Sequence, residues 1–567
     1  MKNNFKSDIF IQLILFSLVL SFFIGCGFEA STNSDTNSTT ATTESSTTSE
    51  SSSTDSTTTN NTTTTTETTT ATPYASEITL LKNSFESSDE NWRVSYTGAC
   101  NVTFNTTENQ DKNGSLLVTA RAHNYDGPFL NVTNLLVANQ LYIIRGYIKQ
   151  SIQDIDTYKL MAKINTTTPQ YRELNRINII DTNWNKFRAF VSFSQADIDA
   201  GVDIYINSDT NTNNFYLDEF EIAKANYDDT NNSANIIKIT SSNLLETNGT
   251  IIKLKGVNLI AYDDEDGATN DLSADTFVNY SYYNYDKDDF KNVASMGFNA
   301  VRINLWYRYF EDESNPYTYK EKGFAWLNSV ISWAKEAGIY VMLDMHAPQG
   351  GGFQGPANIT PFWNNTTYQD RFKSLWREIA RRYKDDSTVI AYDILNEPCA
   401  NNQTQYLTLL DETITQIRTI DPNHIINVEN GFSSDNTPFV LMHNNILYDF
   451  HFYDPWSSFT NNATSVYGTN GIDSTQMRTL FEEYSNYYNT RNIPFNVSEF
   501  GQKYSTFEAK NSEAWISDLI NLINEKNGNY FYFSYKGNEF GIYDSKNSFF
   551  ENSNSNIPLI NLLKLKQ

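Results

Sequence analysis

The chain has 567 residues, too many for one hydrophobic core, so two or more domains are expected. Lys and Arg total 41 against 67 for Asp and Glu, a formal charge of −26 that argues against nucleic acid or an anionic membrane surface as the main partner. The three cysteines, Cys26, Cys100 and Cys399, leave no disulfide framework, and neither a Cys/His ligand cluster nor a glycine-rich phosphate loop points to zinc or a nucleotide.

At the N-terminus, Lys2 and Lys6 precede an apolar run from Ile9 to Ile24 that ends at Gly25-Cys26, the pattern of an export signal over residues 1–25. The run is short for a membrane-spanning helix with a stop-transfer flank. Phe23-Ile-Gly-Cys26 resembles a bacterial lipoprotein lipobox, with Phe23 where leucine is usual. The resemblance implies that Cys26 becomes the lipidated first residue and anchors the chain to a membrane; an ordinary cleaved signal is the alternative. Residues 26–76 are dominated by Ser, Thr and Asn, too polar to offset chain entropy by burial, and read as a disordered tether. Anchor, stalk and folded domains together imply an exported cell-surface or outer-membrane lipoprotein, or a secreted protein if Cys26 is not lipidated.

Residues 77–225 read as short alternating strands without long helical patterns: Ser115-Leu-Leu-Val-Thr-Ala-Arg121, Leu141-Tyr-Ile-Ile-Arg-Gly-Tyr-Ile148, Lys186-Phe-Arg-Ala-Phe-Val-Ser-Phe193, Val202-Asp-Ile-Tyr-Ile206 and Phe215-Tyr-Leu-Asp-Glu-Phe-Glu-Ile222. That spacing predicts an all-β sandwich of jelly-roll type. With Leu81-Lys-Asn-Ser-Phe-Glu86, Trp92, Arg121-Ala-His-Asn-Tyr-Asp-Gly-Pro128 and Phe215-Tyr-Leu-Asp-Glu219, the segment resembles carbohydrate-binding modules of families 4, 9 and 22. The resemblance implies that the loop from Arg121 to Pro128 lines a glycan cleft, with Tyr125 as aromatic platform and Arg121 as hydrogen-bond donor. Trp92 is expected in the core. Glu86 and Asp218 match positions that hold a structural calcium in relatives, and oxygen ligands suit that ion.

A polar linker at 226–235 gives way to a second domain at 236–567 in which strand and helix patterns alternate. Apolar runs buried on both faces begin at Lys255, Phe298, Ile339, Val389, Ile425, Ile446, Phe495 and Tyr530. Between the third and fourth of them, Phe372, Leu375, Trp376, Ile379, Ala380 and Tyr383 follow the spacing of one buried helical stripe. Eight such strands with intervening helices predict an α/β fold, a (β/α)8 TIM barrel, whose chemistry sits at the C-terminal strand tips.

Two of those tips carry glutamates: Tyr392-Asp-Ile-Leu-Asn-Glu-Pro398 presents Glu397, and Pro494-Phe-Asn-Val-Ser-Glu-Phe-Gly501 presents Glu499. A carboxyl pair of this kind is what glycoside hydrolysis needs, one group to protonate the leaving oxygen and one to attack the sugar. Taken together, the strand ends resemble glycoside hydrolase family 5, the endoglucanase-type barrels. The resemblance implies Glu397 as acid/base and Glu499 as nucleophile, with Arg302 of Asn299-Ala-Val-Arg302 paired to the nucleophile. It further assigns sugar-hydroxyl binding to His346 and Asn396, and places His451 and Tyr453 of Phe450-His-Phe-Tyr453 beside the nucleophile. Phe533, in Tyr532-Phe-Ser-Tyr-Lys536, stands where the family usually has the tryptophan that floors the sugar next to the scissile bond. Phe353, Trp363 and Trp306 are further candidate platforms, and the abundance of Tyr (35), Phe (36) and Trp (9) suits stacking on pyranose faces.

The expectation is therefore a retaining hydrolase of β-1,4-linked glucan that needs no cofactor for catalysis, acts on a polysaccharide as a monomer, and carries at most a structural calcium in its sandwich domain. The same mechanism on mannan, xyloglucan, mixed-linkage glucan or a glycolipid glycan is one alternative. A non-catalytic glycan-binding surface adhesin is another, against which the two intact glutamates argue.

Overall fold

The computed structural model describes residues 75–94, 98–227, 235–261, 285–350, 361–431, 437–462, 464–536, 539–543 and 556–566. The signal segment, Cys26 and the Ser/Thr tract lie outside the described residues, as does Phe353.

The first domain packs two antiparallel sheets face to face. One holds Asn101–Asn105, Ser115–Thr119, Phe215–Ala225, Tyr142–Gln150 and Asn185–Val191, with Glu77–Asn83 also paired to Phe215–Ala225; the other holds Phe129–Asn131, Val202–Ser208, Asp156–Ile164 and Gln170–Ile179. Phe85, Trp92, Leu116, Tyr142, Phe187, Ile204 and Phe220 are among the side chains that fill the space between them. Trp92 sits in this core as expected, donating its indole N–H to Asn83 at 3.0 Å.

In the second domain eight parallel strands close a barrel in chain order: Lys255–Ile260, Ala300–Trp306, Tyr340–Ala347, Val389–Asp393, Ile425–Glu429, Ile446–His451, Phe495–Glu499 and Asn529–Tyr532. All but the first residues of these strands are buried, because helices cover the outer face and side chains fill the interior. The helix Thr366–Tyr383 buries all of the stripe read from the sequence, from Phe372 to Tyr383. A small antiparallel sheet, Lys238–Thr240, Asn243–Leu245 and Ile251–Ile252, caps the N-terminal end through Leu244 and Ile252 against Ala300, Met342, Ile390 and Phe531.

Sandwich and barrel meet across a seam that is apolar in part and charged in part. Phe190 packs at 6.0 Å from Trp333, on the helix Glu321–Ala337. Beside it, Arg188 reaches Asp289 at 2.8 Å and Asp286 at 3.3 Å, and Lys186 reaches Asp288 at 2.5 Å and Asp286 at 3.0 Å. These acids also begin the helix Lys287–Ser295, where Asp286 is the N-cap and Asp289 completes a capping box. Burial works against the charge of Asp286, but Arg188, Lys186 and Arg145 hold it well below the ordinary carboxylate range. Lys536, just past the last barrel strand, pairs with Asp289 from the other side. A second cluster joins Arg145 to Glu77 and Glu221, with Glu77 also bound by Lys287 and by the Trp333 indole.

Replacing Arg188 with alanine removes the cation that the buried Asp286 and Asp289 share, leaving Lys186 and Lys536 to hold them. The expected cost is about 3–5 kcal/mol, seen as an earlier denaturation midpoint of the full chain; an unchanged midpoint would show that the pairs carry no net stability.

Candidate active site

At the C-terminal end of the barrel the few polar residues of otherwise apolar strands converge. Arg302, fully buried on the second strand, donates to Glu499 Oε1 at 2.7 Å, to Asp393 Oδ2 at 2.7 Å, to Asn396 Oδ1 at 2.9 Å and to Asn258 Oδ1 at 3.0 Å. Asp344 lies 3.2 Å away on its remaining side. Desolvation alone lowers a guanidinium's pKa, yet Asp344, Asp393 and Glu499 keep Arg302 firmly charged. Strand register produces this layer, since Asn258 sits opposite Arg302, Asn304 opposite Asp344, and Asp344 opposite Asp393.

Glu499 ends the seventh strand and is 4 % exposed. Its second oxygen accepts the Tyr453 hydroxyl at 3.1 Å. Glu397 lies on the loop beyond the fourth strand with φ of 41°, a left-handed conformation that a non-glycine residue adopts only when its surroundings impose it. Its Oε1 lies 2.9 Å from Nδ1 of His451, whose Nε2 lies 3.1 Å from Ser498 Oγ. Ligand atoms of Glu397, His451 and Glu499, one from each residue, all fall within 4.8 Å of one another.

The cluster holds more acids than cations, and protons make up the difference. Burial lowers the pKa of His451, but Glu429, Glu499 and Glu397 more than offset it and push it up to about 10. Burial, reinforced by Asp344 and Asp449, pushes Asp393 up to about 7 against the pull of Arg302. Asp344 goes the other way: Arg302 and His346 overcome its burial and hold it below the usual carboxylate range.

The other expected sugar contacts surround this centre. His346 is buried with Nδ1 2.8 Å from Asp344, which fixes the ring. Asn396 gives its oxygen to Arg302, while its amide nitrogen is buried with no hydrogen-bond partner, a donor suited to a sugar hydroxyl. Phe533 follows the last strand, and Phe540 stands between it and Tyr453, with ring centroids at 6.5 and 5.6 Å. Trp363 is core instead of platform: it is 2 % exposed and packs edge-on against Phe362 and Tyr406. Trp306 is 6 % exposed, with the Arg308 guanidinium 5.1 Å from its ring.

On the sandwich, Tyr125 is 52 % exposed and stacks on His123 at 4.6 Å with the rings 7° from parallel, so an aromatic face does stand on the loop. Arg121 departs from the expected glycan donor. It is buried and donates to the carbonyls of Asp126, Asn213 and Asn124 and to Ser208 Oγ, so its charge is spent on holding the loop that carries Tyr125. Asp218 accepts backbone N–H groups of Gln110 and Glu219, and burial pushes it up to about 6. Glu86 Oε1 and Glu219 Oε1 are buried without a hydrogen-bond partner.

Reading motifs alone passed over Asn258, Asn304, Asp344, Asp393, Glu429 and Asp449. A signal for them exists: each is a polar residue inside a strand whose neighbours are apolar, and in a barrel such residues face the interior.

Comparison with known proteins agrees with this layout. A model of cellulases, glycosyl hydrolase family 5, matches residues 260–539, and a carbohydrate binding domain model matches residues 77–214. A beta-xylosidase of Phanerodontia chrysosporium is 31% identical over 261 residues, 44% of this chain and 52% of that protein. Endoglucanase C of Acetivibrio thermocellus is 30% identical over 207 residues, 35% of this chain and 57% of that protein. The chain thus spans about half the length of these curated relatives. Thermotoga maritima Cel5A, solved with mannotriose, shares 21% identity at a TM-score of 0.44, covering 55% of this chain and 97% of its own.

The His451 shift carries a pH signature. Its folded pKa of about 10 lies above the unfolded value of 6.5, so its contribution to stability is complete below pH 6.5 and is lost as pH rises through about 10. The His451 imidazole should keep both nitrogens protonated at pH 8 in nitrogen-15 spectra, a signal that vanishes in His451→Asn. A neutral His451 imidazole at that pH would contradict it.

Proposed function

We propose that this chain, with a family 5 glycosyl hydrolase domain over residues 260–539 behind a carbohydrate-binding domain over residues 77–214, is a retaining hydrolase of β-1,4-linked glucan. One observation carries the reading. Glu397 and Glu499 each bring an oxygen within 4.8 Å of the other, a closeness that supports the covalent route, where the carboxyls stand about 5–5.5 Å apart.

In the first displacement Glu499 attacks the anomeric carbon while Glu397 gives its proton to the departing oxygen, so the glycosidic bond breaks as a glycosyl ester forms. Arg302 and Tyr453 each hold one oxygen of Glu499 and so aim the attacking lone pair. Glu397, now a carboxylate, takes a proton from water as that water attacks the same carbon, and Glu499 leaves. His451 orients Glu397 through Oε1. Asn396 and His346 supply the polar contacts that fix the sugar, and Phe533 with Phe540 forms its apolar floor.

A second reading keeps the mechanism and changes the sugar. Phe533 offers a smaller floor than the family's usual tryptophan, and one relative is named a beta-xylosidase. A xyloside, mannan, xyloglucan, mixed-linkage glucan or glycolipid glycan is then the preferred substrate.

Glu499→Ala should lose on the order of 10⁴-fold in turnover or more, and Glu397→Ala about 10²–10⁴-fold on poor leaving groups. Azide should restore Glu397→Ala on an aryl glycoside whose leaving group needs no proton. Proton NMR of the first product on a panel of β-glycans should show the β-anomer; an initial α-anomer, or full turnover by Glu499→Ala, would defeat the assignment.

We also propose that Glu86 and Asp218 help hold a structural calcium, as the unpartnered oxygens of Glu86 and Glu219 beside Asp218 suggest. Calcium should then raise the thermal midpoint, a chelator should reverse it, and Asp218→Asn should abolish the response. A midpoint indifferent to both would refute the site.

Finally, we propose that Cys26 is lipidated and that residues 26–76 tether the domains outside the cell. Wild-type protein should partition into detergent and take up a fatty-acid probe, and Cys26→Ser should do neither. Unlabelled wild-type protein in the medium would leave an ordinary secreted enzyme.

A further inference from the structure

A third glutamate enters the active site from a strand to which neither the motifs nor the proposed mechanism give a role. Glu429 ends the fifth barrel strand and is 1 % exposed. Its Oε2 accepts the backbone N–H of Glu397 at 2.7 Å. Its Oε1 lies 3.4 Å from His451 Nδ1, the atom that lies 2.9 Å from Glu397 Oε1, and has no hydrogen-bond partner of its own. The strand end that carries it is pinned from behind, because its carbonyl accepts the Tyr406 hydroxyl at 2.7 Å and its neighbour Asn430 accepts that of Tyr488 at 2.9 Å.

We propose that Glu429 is a positioning residue for Glu397, holding the backbone of the acid/base residue in its left-handed turn beside the His451–Glu397 hydrogen bond. The proposal rests on the acid/base role given to Glu397 above. Two physical arguments lead to it. First, φ of 41° at a non-glycine residue costs energy that something must repay, and a buried carboxyl closing on that residue's own N–H is the direct means. Without it the amide would be left without that acceptor and the turn would relax, moving the Glu397 carboxyl away from the leaving oxygen.

Second, the charges around Glu429 leave no room for another anion. Glu397 faces it from the loop after the fourth strand, Asp449 and His451 from the sixth, Glu499 from the seventh across His451, and Arg302 from the second. Arg302 is already shared among Glu499, Asp393 and Asp344, and the Nδ1 proton of His451 sits closest to Glu397. Burial, with Glu397 and Asp449 adding to it, holds Glu429 well above the ordinary carboxylate range, and a carboxylic acid still accepts an N–H through its carbonyl oxygen.

Glu429→Gln keeps the accepting oxygen and the neutral shape; Glu429→Ala removes both. The test compares them with wild type on a cello-oligosaccharide, whose leaving group needs the acid, and on a dinitrophenyl β-cellobioside, whose leaving group does not. Glu429→Gln should stay within about threefold of wild type on both and keep the same pH profile, whereas Glu429→Ala should lose on the order of 10²-fold in kcat on the oligosaccharide alone. Hydrogen exchange of the peptide spanning Leu395 to Ala400 supplies a readout independent of turnover: the Glu397 amide should be protected in wild type and Glu429→Gln and unprotected in Glu429→Ala. Equal losses on the two substrates, a large loss in Glu429→Gln, or protection that survives Glu429→Ala would overturn the proposal. A wild-type chain that hydrolyses neither substrate would sink the hydrolase reading, while the exchange data would still decide whether Glu429 holds the turn.

Discussion

The Arg302 guanidinium is the interaction on which the rest of the barrel's active end depends. A fully buried cation is tolerable only where acids and acceptors surround it, and here Glu499, Asp393, Asp344, Asn258 and Asn396 do so from the seventh, fourth, third and first strands and from the loop after the fourth. Because a planar guanidinium offers its N–H groups at fixed angles, these partners are fixed relative to one another as well. Glu499 and Asn396, the residue before Glu397, are thereby tied to one rigid group. The spacing between the Glu397 and Glu499 carboxyls is a consequence of that tie and of the turn at Glu397.

The same concentration of acids creates a charge problem that the protein solves with protons. Arg302 and a protonated His451 face Glu397, Glu429, Glu499, Asp344, Asp393 and Asp449 in a region almost without water. Burial then decides which acids stay neutral. Asp344, in contact with both Arg302 and His346, remains charged, while Glu429, at the rim of the Arg302 field, keeps its proton. Several buried oxygens, those of Asp344, Asp393 and Glu429 among them, have no hydrogen-bond partner. A site poised in this way is costly to build and is held by the surrounding fold, which is why the strands that carry it are apolar everywhere else.

Sandwich and barrel are joined by groups that do two jobs. Asp286 and Asp289 cap a barrel helix and at the same time receive Lys186 and Arg188 from the sandwich. Lys536, three residues past Phe533, closes on Asp289. The seam is therefore linked through one side chain to the strand end that carries Phe533, and the sandwich is seated against the barrel by packing and buried charge together.

Sequence alone determined the barrel, because strands buried on both faces must be written as apolar runs and helices must show one apolar stripe. It also marked Glu397 and Glu499 at the ends of such runs, and the resemblance to family 5 glycoside hydrolases marked Arg302 and His451. Five sandwich strands, Glu77–Asn83, Asn101–Asn105, Phe129–Asn131, Asp156–Ile164 and Gln170–Ile179, were not read from the sequence; the last two pair across a register shift between Leu160 and Met161, which the pattern of a single strand does not reveal. Arg121 shows the opposite failure: its place in a motif says that it matters to the loop, but whether it meets a ligand or its own backbone depends on Ser208 and Asn213, more than eighty residues away. Only the tertiary structure decided that Glu429 joins Glu397 and His451, and that Asp286 and Asp289 bind two domains. A polar residue's type is local information, but its partners, its burial and hence its charge are set by which distant strands the closed barrel brings alongside it.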